Sequence, residues 1–401
     1  MKIKIITRTI WILSLVSLFT DMASEMLYPV MPVFLRSIGF SFVLIGVLEG
    51  VAEAVAGISK GYFGKRSDVI GKRLPFVQFG YALSAISKPM MAAFVYPLWI
   101  FFARTIDRLG KGLRTGARDA MLSDECTKEN KGKVFGFHRS MDTMGAVLGP
   151  TIALIYLYYH PANYKTLFII AFFPGMVAIL FTLFIKEKKL TGNPGLRKEK
   201  WSFFAIFSYW KHSPAEYKRL LIGLLLFAAF NSSDVFLLLR MKESGLSDTA
   251  VIGVYIFYNL VFALLAYPIG ILADKMGLKK IFLVGLFVFA IVYGGFAVNN
   301  NLYLFFALFF LYGLYAAATE GISKAWVSNI VPKSETATAI GTFAGLQSIC
   351  ALLASSLTGF LWFNFGSITT FTITACVTLI VILYLSRMRA KIKEETEVGV
   401  K

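Results

Sequence analysis

Cysteine, histidine and charged residues are all scarce in this chain. The three cysteines, at positions 126, 350 and 376, are odd in number and far apart, so a disulfide framework is not expected. With only three histidines a Cys/His metal site is not expected either, and the sequence predicts no cofactor. Charged residues make up 16% of the chain, against roughly a quarter in soluble domains. Such a composition is typical of a protein that is mostly surrounded by lipid.

Sequence motifs of enzymes and motors are missing as well. The chain has no Gly-x4-Gly-Lys-Ser/Thr loop, so no ATP-driven motor is expected. The basic, glycine-rich stretch at 110–119 ends an apolar segment instead of following a strand. We interpret it as a cap in which Arg114, Arg118 and Asp119 form salt bridges. Without a nucleophile–base set, the chain is not expected to be an enzyme.

Apolar residues, by contrast, fill 57% of the 401 positions. A helix that crosses a bilayer needs about 20 mostly apolar residues. The sequence therefore predicts an all-α membrane protein with twelve transmembrane helices, called spans 1 to 12 below, near residues 9–36, 41–63, 74–95, 97–122, 132–159, 164–186, 218–241, 249–273, 279–298, 302–327, 335–361 and 365–387. The basic N-terminus looks like the start of a signal peptide, but no small-residue cleavage site follows, so we interpret it as leading into a retained first span.

The net charge of +18 comes from short basic clusters between the apolar runs. A nucleic-acid-binding protein gathers its cations on a soluble face, whereas clusters of this kind orient membrane helices. They lie near residues 2–8, 65–73, 128–133, 187–217 and 275–280 and from 387 onward, while the turns near 96 and 299–301 carry no charge. The pattern predicts a protein of the cytoplasmic (inner) membrane with both termini in the cytoplasm, and no nucleic-acid partner.

A polar signature occurs twice, once in each half of the chain. The first copy is Gly64-x3-Asp68-x2-Gly71-Lys72-Arg73, and the second, 206 residues later, is Gly270-x3-Asp274-Lys275-x-Gly277-x-Lys279-Lys280. Two tandem bundles of six helices are the simplest account of this repeat. We assign the first bundle to residues 1–186, a cytoplasmic linker to 187–217 and the second bundle to 218–401.

Over its whole length the chain resembles the major facilitator superfamily, whose loop signature is Gly-x3-Asp-(Arg/Lys)-x-Gly-(Arg/Lys)-(Arg/Lys). The first copy departs from it at Val69, where a cation is usual. The stretches DMASEM, DRLGKGLR, FHRSMDTMGAVLGP and TEGISKA resemble a poorly characterised prokaryotic subgroup. The resemblance implies that Asp68 forms a latch that holds the cytoplasmic side shut, accepting hydrogen bonds from a neighbouring helix N-terminus or pairing with a nearby cation. For the basic residues of the signature, a purely topological role is the alternative.

The predicted spans of the first half contain many ionisable residues. Each costs at least ~2.5–3.5 kcal/mol at the bilayer centre and therefore faces a cavity or a partner. They are Asp21 and Glu25 in span 1, Glu49 and Glu53 in span 2, Lys88 in span 3, Arg104, Asp107, Arg108 and Lys111 in span 4, and His138, Arg139 and Asp142 in span 5.

Two interpretations of these residues stay open. They could only form ion pairs between helices, such as Arg139 with an acid of span 1 or 2. Alternatively, one acid exchanges a proton during transport, with Asp21 and Glu25 as first candidates, followed by Glu53 and Asp142. We assign Asp21, Glu25, Glu49, Glu53, Asp107, Arg139 and Asp142 to proton coupling or ion pairing, and Arg104, Arg108, Lys111 and His138 to substrate binding.

The second half carries fewer charged residues in its predicted spans, and we interpret it as the half whose aromatic residues bind the organic body of the solute. Asn231 and Asp234 interrupt span 7, Tyr255 lies in span 8, and Tyr312, Tyr315, Glu320 and Lys324 lie in span 10. We assign Asn231, Asp234, Tyr255 and Tyr315 to a substrate pocket. Packing inside the bundle is the alternative for each tyrosine.

Span 5 contains MGAVLGPTIAL, which resembles the family's antiporter signature Gly-x3-Gly-Pro-x2-Gly-Gly. Ala153 and Leu154 stand in place of its last two glycines. We expect Gly145, Gly149 and Pro150 to allow a bend and close contact with span 8, while an ordinary packing face is the alternative. The signature favours export.

These features predict a proton-coupled secondary transporter that moves a small organic solute by alternating access. The cations of spans 4 and 5 favour an anionic or carboxylated solute. The first alternative is an importer of an organic anion, such as a carboxylate siderophore or a metabolite. The second is a membrane receptor or sensor that binds without transport. The expected partners are the solute, protons and the lipid bilayer, and the resemblance implies a monomer.

Overall fold

The computed structural model describes residues 6–28, 30–31, 34–35, 38–40, 42–161, 163–187, 205–246, 248–299 and 301–388. These residues form helices, turns and loops without a strand. The helices are α1 Arg8–Glu25, α2 Phe42–Ile70, α3 Leu74–Ala93, α4 Pro97–Asp124, α5 Lys131–Tyr159, α6 Tyr164–Thr182, α7 Ala205–His212, α8 Ala215–Ala228, α9 Val235–Glu243, α10 Asp248–Met276, α11 Leu278–Val298, α12 Leu302–Ile330, the short 3-10 helix Lys333–Glu335, and α13 Thr336–Ser386.

The predicted all-α fold is confirmed, with differences in detail. Each predicted span overlaps a helix, but α1 ends at Glu25 and span 7 consists of α8 and α9 with irregular backbone between them. Spans 11 and 12 run together in α13, which is broken at Gly366, where the positive φ of 78° suits a residue without a Cβ. Among the described helices, α5, α6, α10, α11, α12 and α13 are long and apolar enough to cross a membrane. The total of twelve crossings stays a prediction.

The helices pack as two halves, which we call the first half (described residues 6–187) and the second half (described residues 205–388). Inside the first half, α1 packs against α5 and α6, and α4 packs against α2 and α3. Between the halves, α2 runs along α13 and α5 runs along α10. Spans 2 and 5 of one half therefore lie against spans 11 and 8 of the other.

The two ends of this bundle differ in charge. Basic residues collect at what we call the basic end, where α2 ends and α5 begins: Lys65, Lys72, Lys128, Lys133, Lys275 and Lys280. The opposite end, which we call the bare end, contains the uncharged turns at 94–96 and 299–301. At the basic end, Gly71 (φ 70°) and Gly277 (φ 97°) adopt left-handed backbone conformations, which let the chain reverse between α2 and α3 and between α10 and α11.

Candidate functional site

Asp68 of the first signature joins the two halves at the basic end. Its Oδ2 accepts hydrogen bonds from the backbone N–H (2.7 Å) and hydroxyl (2.8 Å) of Thr338, in the first turn of α13. Its Oδ1 lies 3.0 Å from a guanidinium nitrogen of Arg73. Both contacts that the sequence offered as alternatives are therefore present at once. A buried carboxylate at a helix N-terminus also interacts favourably with the helix dipole.

Arg73 extends this contact. The same guanidinium donates to the carbonyl of Lys333, in the second half, at 3.0 Å, and pairs with Asp124 at the end of α4. The Arg73 side chain is 1% exposed, so it is a structural ion-pair partner rather than only a topological charge. The neighbouring Lys72 is exposed, as a charge that only orients the helices would be.

Asp274 of the second signature makes the matching contact on the other side of the bundle. Its Oδ1 accepts from the backbone N–H of Gly132 and its Oδ2 from that of Lys133, both at 2.7 Å, in the first turn of α5. Lys131 adds a hydrogen bond from its ammonium group to the carbonyl of Ser328 at 2.8 Å. Each signature therefore holds the N-terminus of a helix from the opposite half.

Glycines allow the helices to approach closely at these contacts. A Cβ built on Gly64 would clash with the carbonyl of Ala337, and one built on Gly136 would clash with that of Ala266. A Cβ on Gly270 would clash with the carbonyl of Gly132. Because backbone meets backbone across the interface, the basic end is closed in this structure.

Lys88, Arg104 and Asp107 form a buried cluster inside the first half. Lys88 Nζ lies 2.6 Å from Asp107 Oδ1, and Arg104 lies 3.3 Å from Asp107 Oδ2. Asp107 is 4% exposed and Lys88 is 2% exposed. Because Asp107 pairs with both cations between α3 and α4, Arg104 already has an acidic partner and is a weaker candidate for solute binding. Arg114, expected in a salt bridge, instead donates to Ser84 at 2.8 Å.

The described partners of Arg139 differ from the acid of span 1 that was offered as an example, whereas the side chains of the span 2 acids Glu49 and Glu53 lie outside the described residues. Arg139 pairs with Asp142 on its own helix (2.7 Å) and lies 3.7 Å from Glu320 of α12. The first turn of α5 lies against the second half, which directs this face of the helix toward α12.

Asp21 and Glu25 of α1 differ from the other acids. Within the described part of the chain, neither makes a hydrogen bond or an ion pair, and both are half-buried. The charged groups that act on Asp21 are Asp142, Glu25, Lys111 and Arg139, and those that act on Glu25 include Lys111 and Arg108. Lys111 is half-buried and likewise makes no hydrogen bond or ion pair within the described residues. Asp21, Glu25 and Lys111 thus contribute to a polar face of the first half, and none of the three has an ion-pair partner among the described residues. The side chains of Glu49 and Glu53 lie outside the described residues.

The break in span 7 places polar groups of the second half together. Asp234 Oδ1 accepts from the hydroxyl of Tyr312 at 2.6 Å, and the amide nitrogen of Asn231 lies 3.0 Å from the hydroxyl of Tyr315. The side-chain amide oxygen of Asn231 is buried and has no hydrogen-bond partner among the described residues. Discontinuous membrane helices often mark a transporter binding site.

The predicted tyrosines play different parts in this region. Tyr315 is 4% exposed and packs on Phe289, with ring centroids 4.7 Å apart, so its ring belongs to the core. Tyr255 is half-buried, and the charged groups that act on it include Glu25 of the first half and Asp234 of the second. Tyr255 is thus the aromatic candidate on which acids of both halves act.

Two further expectations changed. Gly145 and Gly149 pack against α1 and not against span 8, since a Cβ on Gly145 would lie 2.9 Å from the Met22 nitrogen and one on Gly149 would lie 2.7 Å from that of Met26. His138, assigned to solute binding, is 4% exposed, and its Nδ1 lies 3.4 Å from the hydroxyl of Ser14.

Sequence reasoning missed one ion pair between the halves. Lys324 Nζ lies 2.7 Å from Asp119 Oδ2, and the Asp119 side chain is 0% exposed. Asp119 also pairs with Arg118 at 2.8 Å, as the cap interpretation expected. The two charged residues Glu320 and Lys324 inside an otherwise apolar span were the available signal, since such charges require partners.

Comparisons with known proteins place this geometry in a family. The model of the Major Facilitator Superfamily matches residues 13–258 and 235–400. An uncharacterised MFS-type transporter of Methanocaldococcus jannaschii is 32% identical over 363 residues, which cover 89% of each chain. The multi-drug resistance efflux pump PmrA of Streptococcus pneumoniae is 25% identical over 331 residues, or 79% of each chain.

Solved structures support the same fold. The human organic anion transporter MFSD10 superimposes with a TM-score of 0.78 at 15% identity, covering 94% of this chain and 99% of that one. The Escherichia coli fucose:proton symporter FucP superimposes with a TM-score of 0.74 at 10% identity, covering 94% and 97%. At these identities the likeness concerns the fold alone.

Proposed function

The chain belongs to the major facilitator superfamily of membrane transporters, and from that premise we propose that it moves a small organic solute by alternating access driven by protons. The observation that carries the proposal is the pair of acids Asp21 and Glu25, which are half-buried and have no ion-pair partner among the described residues. Every other acid of the first half named above, apart from the undescribed side chains of Glu49 and Glu53, is already held by a cation or by backbone donors.

The protons are proposed to bind at Asp21 or Glu25. A carboxyl group among mixed charges changes its proton affinity when a neighbouring cation or acid moves. The charged groups that act on Asp21 are two acids, Asp142 and Glu25, and two cations, Lys111 and Arg139. Because Arg139 also contacts Glu320 in the other half, separation of the halves changes the charges around Asp21.

The solute is proposed to lie between this polar face and the break in span 7. Lys111 is the proposed contact for a carboxylate or another anionic group, since Arg104 and Arg139 are already paired with acids. Asn231, Asp234 and Tyr255 are the proposed contacts on the second half, where the unpaired carbonyl of Asn231 offers an acceptor.

A second candidate is proton-driven export of organic cations. Two unpaired carboxylates would bind a cation at the place where protons bind, so that cation and proton would compete, which is the basis of an antiporter. The likeness to a protein named a multi-drug resistance efflux pump also favours export. Competition between solute and proton would therefore indicate antiport of a cation. An anion bound by Lys111 would instead bind together with the proton.

Orientation follows from the basic clusters. We propose that the basic end faces the cytoplasm of a cell whose inner membrane contains the protein, with both termini on that side. The proposed units are a first bundle at 1–186, a linker at 187–217 and a second bundle at 218–401, acting as a monomer. In this orientation the closed basic end corresponds to a transporter that faces outward.

The test is reconstitution into liposomes with an imposed pH gradient and a panel of labelled organic anions and cations. Gradient-driven flux that Asp21→Asn abolishes is expected, and Glu243→Gln, which changes an acid outside the proposed site at the end of α9, should leave the flux intact. Binding with no flux under any gradient would instead favour the receptor and overturn the proposal.

A further inference from the structure

Four charged residues join the two halves at a level between the basic end and the acids Asp21 and Glu25. Asp119 of α4 pairs with Lys324 of α12, and Arg139 of α5 lies 3.7 Å from Glu320 of α12. Glu320 and Lys324 are four residues apart on one helix, so their side chains lie on the same face. One turn of α12 thus presents an acid and a base to two different helices of the first half.

The two contacts are also connected inside the first half. A guanidinium nitrogen of Arg118, the second partner of Asp119, donates to the Ser17 hydroxyl at 3.1 Å. The Ser17 hydroxyl donates in turn to Asp142 Oδ1 through a short hydrogen bond. Asp142 Oδ2 accepts from Arg139 at 2.7 Å. The path is therefore continuous from one contact to the other.

Together these residues close a ring that crosses the interface twice. In order they are Lys324, Asp119, Arg118, Ser17, Asp142, Arg139 and Glu320, and the last returns to Lys324 through one turn of α12. We call this set the interface ring.

Two acids of the interface ring, Asp119 and Asp142, are buried and therefore cannot replace their present partners easily. Asp119 is 0% exposed and Asp142 is 5% exposed, so neither can exchange its partners for water in this state. His138 packs beside the ring with its Nε2 buried and without a hydrogen-bond partner. Asp21, a proposed proton carrier, is among the groups that interact with Asp142 and Arg139.

We propose that the interface ring links the contacts of Asp142 to the opening of the basic end, with Ser17 and Arg118 as positioning residues. Opening must break both contacts to α12, which leaves Asp119 with Arg118 alone and Arg139 with Asp142 alone. A change at Asp142 alters its hydrogen bond with Ser17. Because Ser17 also contacts Arg118, the position of Arg118 beside Asp119 changes as well. The inference deepens the proposed function and rests on it, but its test measures the conformation and needs no solute.

The test is a double-mutant cycle on the ratio of open to closed protein. Spin labels at Ile70→Cys and Lys280→Cys, exposed residues of different halves at the basic end, report the distance by pulsed electron spin resonance after the three native cysteines are changed to serine. The cycle combines Asp142→Asn with Lys324→Gln. Residues that share one network commonly couple by about 0.5–3 kcal/mol, so we expect the double variant to differ from the product of the single effects by about 2- to 150-fold.

The deciding step repeats the cycle with Ser17→Ala, which removes one hydroxyl and leaves both ion pairs across the interface in place. The coupling factor between Asp142→Asn and Lys324→Gln should fall, because only the connection through Arg139 and Glu320 then remains. If Ser17→Ala does not yield folded protein, Arg118→Lys keeps a cation beside Asp119 but shortens the reach to Ser17, and it should have the same effect.

A matched control pairs Asp107→Asn with Lys324→Gln. Asp107 is also buried and ion-paired, but its partners lie within the first half, so its coupling should be about one. Absence of coupling in the original background, or coupling that neither interruption lowers, would overturn the inference. Absence of transport with the coupling intact would contradict the proposed function and leave the ring standing.

Discussion

Replacing Asp68 by asparagine should open the basic end. The Asp68 carboxylate accepts two hydrogen bonds from Thr338 across the interface and one from Arg73, and all three residues are buried. Asparagine has the same size but only one acceptor oxygen and no charge. With that oxygen toward Thr338, the two bonds lose the carboxylate charge and the amide N–H group opposes Arg73; with it toward Arg73, the bond from the Thr338 N–H is lost. A hydrogen bond to a charged group contributes about 1.5–3 kcal/mol. The ratio of open to closed protein should therefore rise about 10- to 150-fold.

The labels at positions 70 and 280 measure this ratio directly. The wild-type distribution should be dominated by the short, closed distance, and Asp68→Asn should transfer a large share to a longer one. Asp274→Asn, at the equivalent contact with α5, should act in the same direction. Asp107→Asn is the control, because its ion pairs lie within one half and do not change on opening. If Asp68→Asn left the distances of the wild type unchanged, or moved them no more than Asp107→Asn does, the contact with Thr338 would not hold the basic end closed.

Further predictions follow from sterics, thiol chemistry and buried charge. Gly64→Ala should favour the open basic end in the same distance measurement, because the added Cβ meets backbone, whereas Gly294→Ala, with open space around it, should not. Burial raises the pKa of the Cys126 thiol to about 12, so a maleimide should scarcely react with it at pH 8 in the closed protein. In Asp68→Asn the basic end opens and the pKa of Cys126 falls back toward its usual value. Labelling of Cys126 should therefore increase in this variant and rise with pH toward about 9. Lys88→Met should remove the hydrogen bond from Lys88 to Asp107 while Arg104 remains as the partner of Asp107, and so destabilise the fold by about 1.5–3 kcal/mol, seen as a lower unfolding temperature in detergent without a change in the labelled distances.

The fold was predictable because its signals are local. Apolar runs, basic clusters and the repeated signature around Asp68 and Asp274 each reside in a few neighbouring residues. The kind of partner that Asp68 finds, a helix N-terminus, was predictable as well. The identity of that partner was not, because Thr338 lies 270 residues away and nothing local specifies which helix begins beside it.

The details of the candidate site depend on how each helix is rotated. Arg139 had acids available in several spans, and the close packing of α5 against α10 directs it toward Glu320. The same rotation turns Gly145 toward α1, which the expectation of contact with span 8 missed. A rotation of α5 by a fraction of a turn would exchange these neighbours, and hydrophobic patterning cannot resolve it when several faces of the helix are apolar.

The most direct test of alternating access is to measure both ends of the bundle in the same variant. One pair of labels sits at positions 70 and 280 at the basic end, and a second pair replaces the exposed Tyr96 and Val298 at the bare end. In the double variant Asp68→Asn, Asp274→Asn, the distances at the basic end should lengthen while those at the bare end shorten. If the bare end stayed unchanged or lengthened too, the two halves would not rock about a central site, and the account would be contradicted.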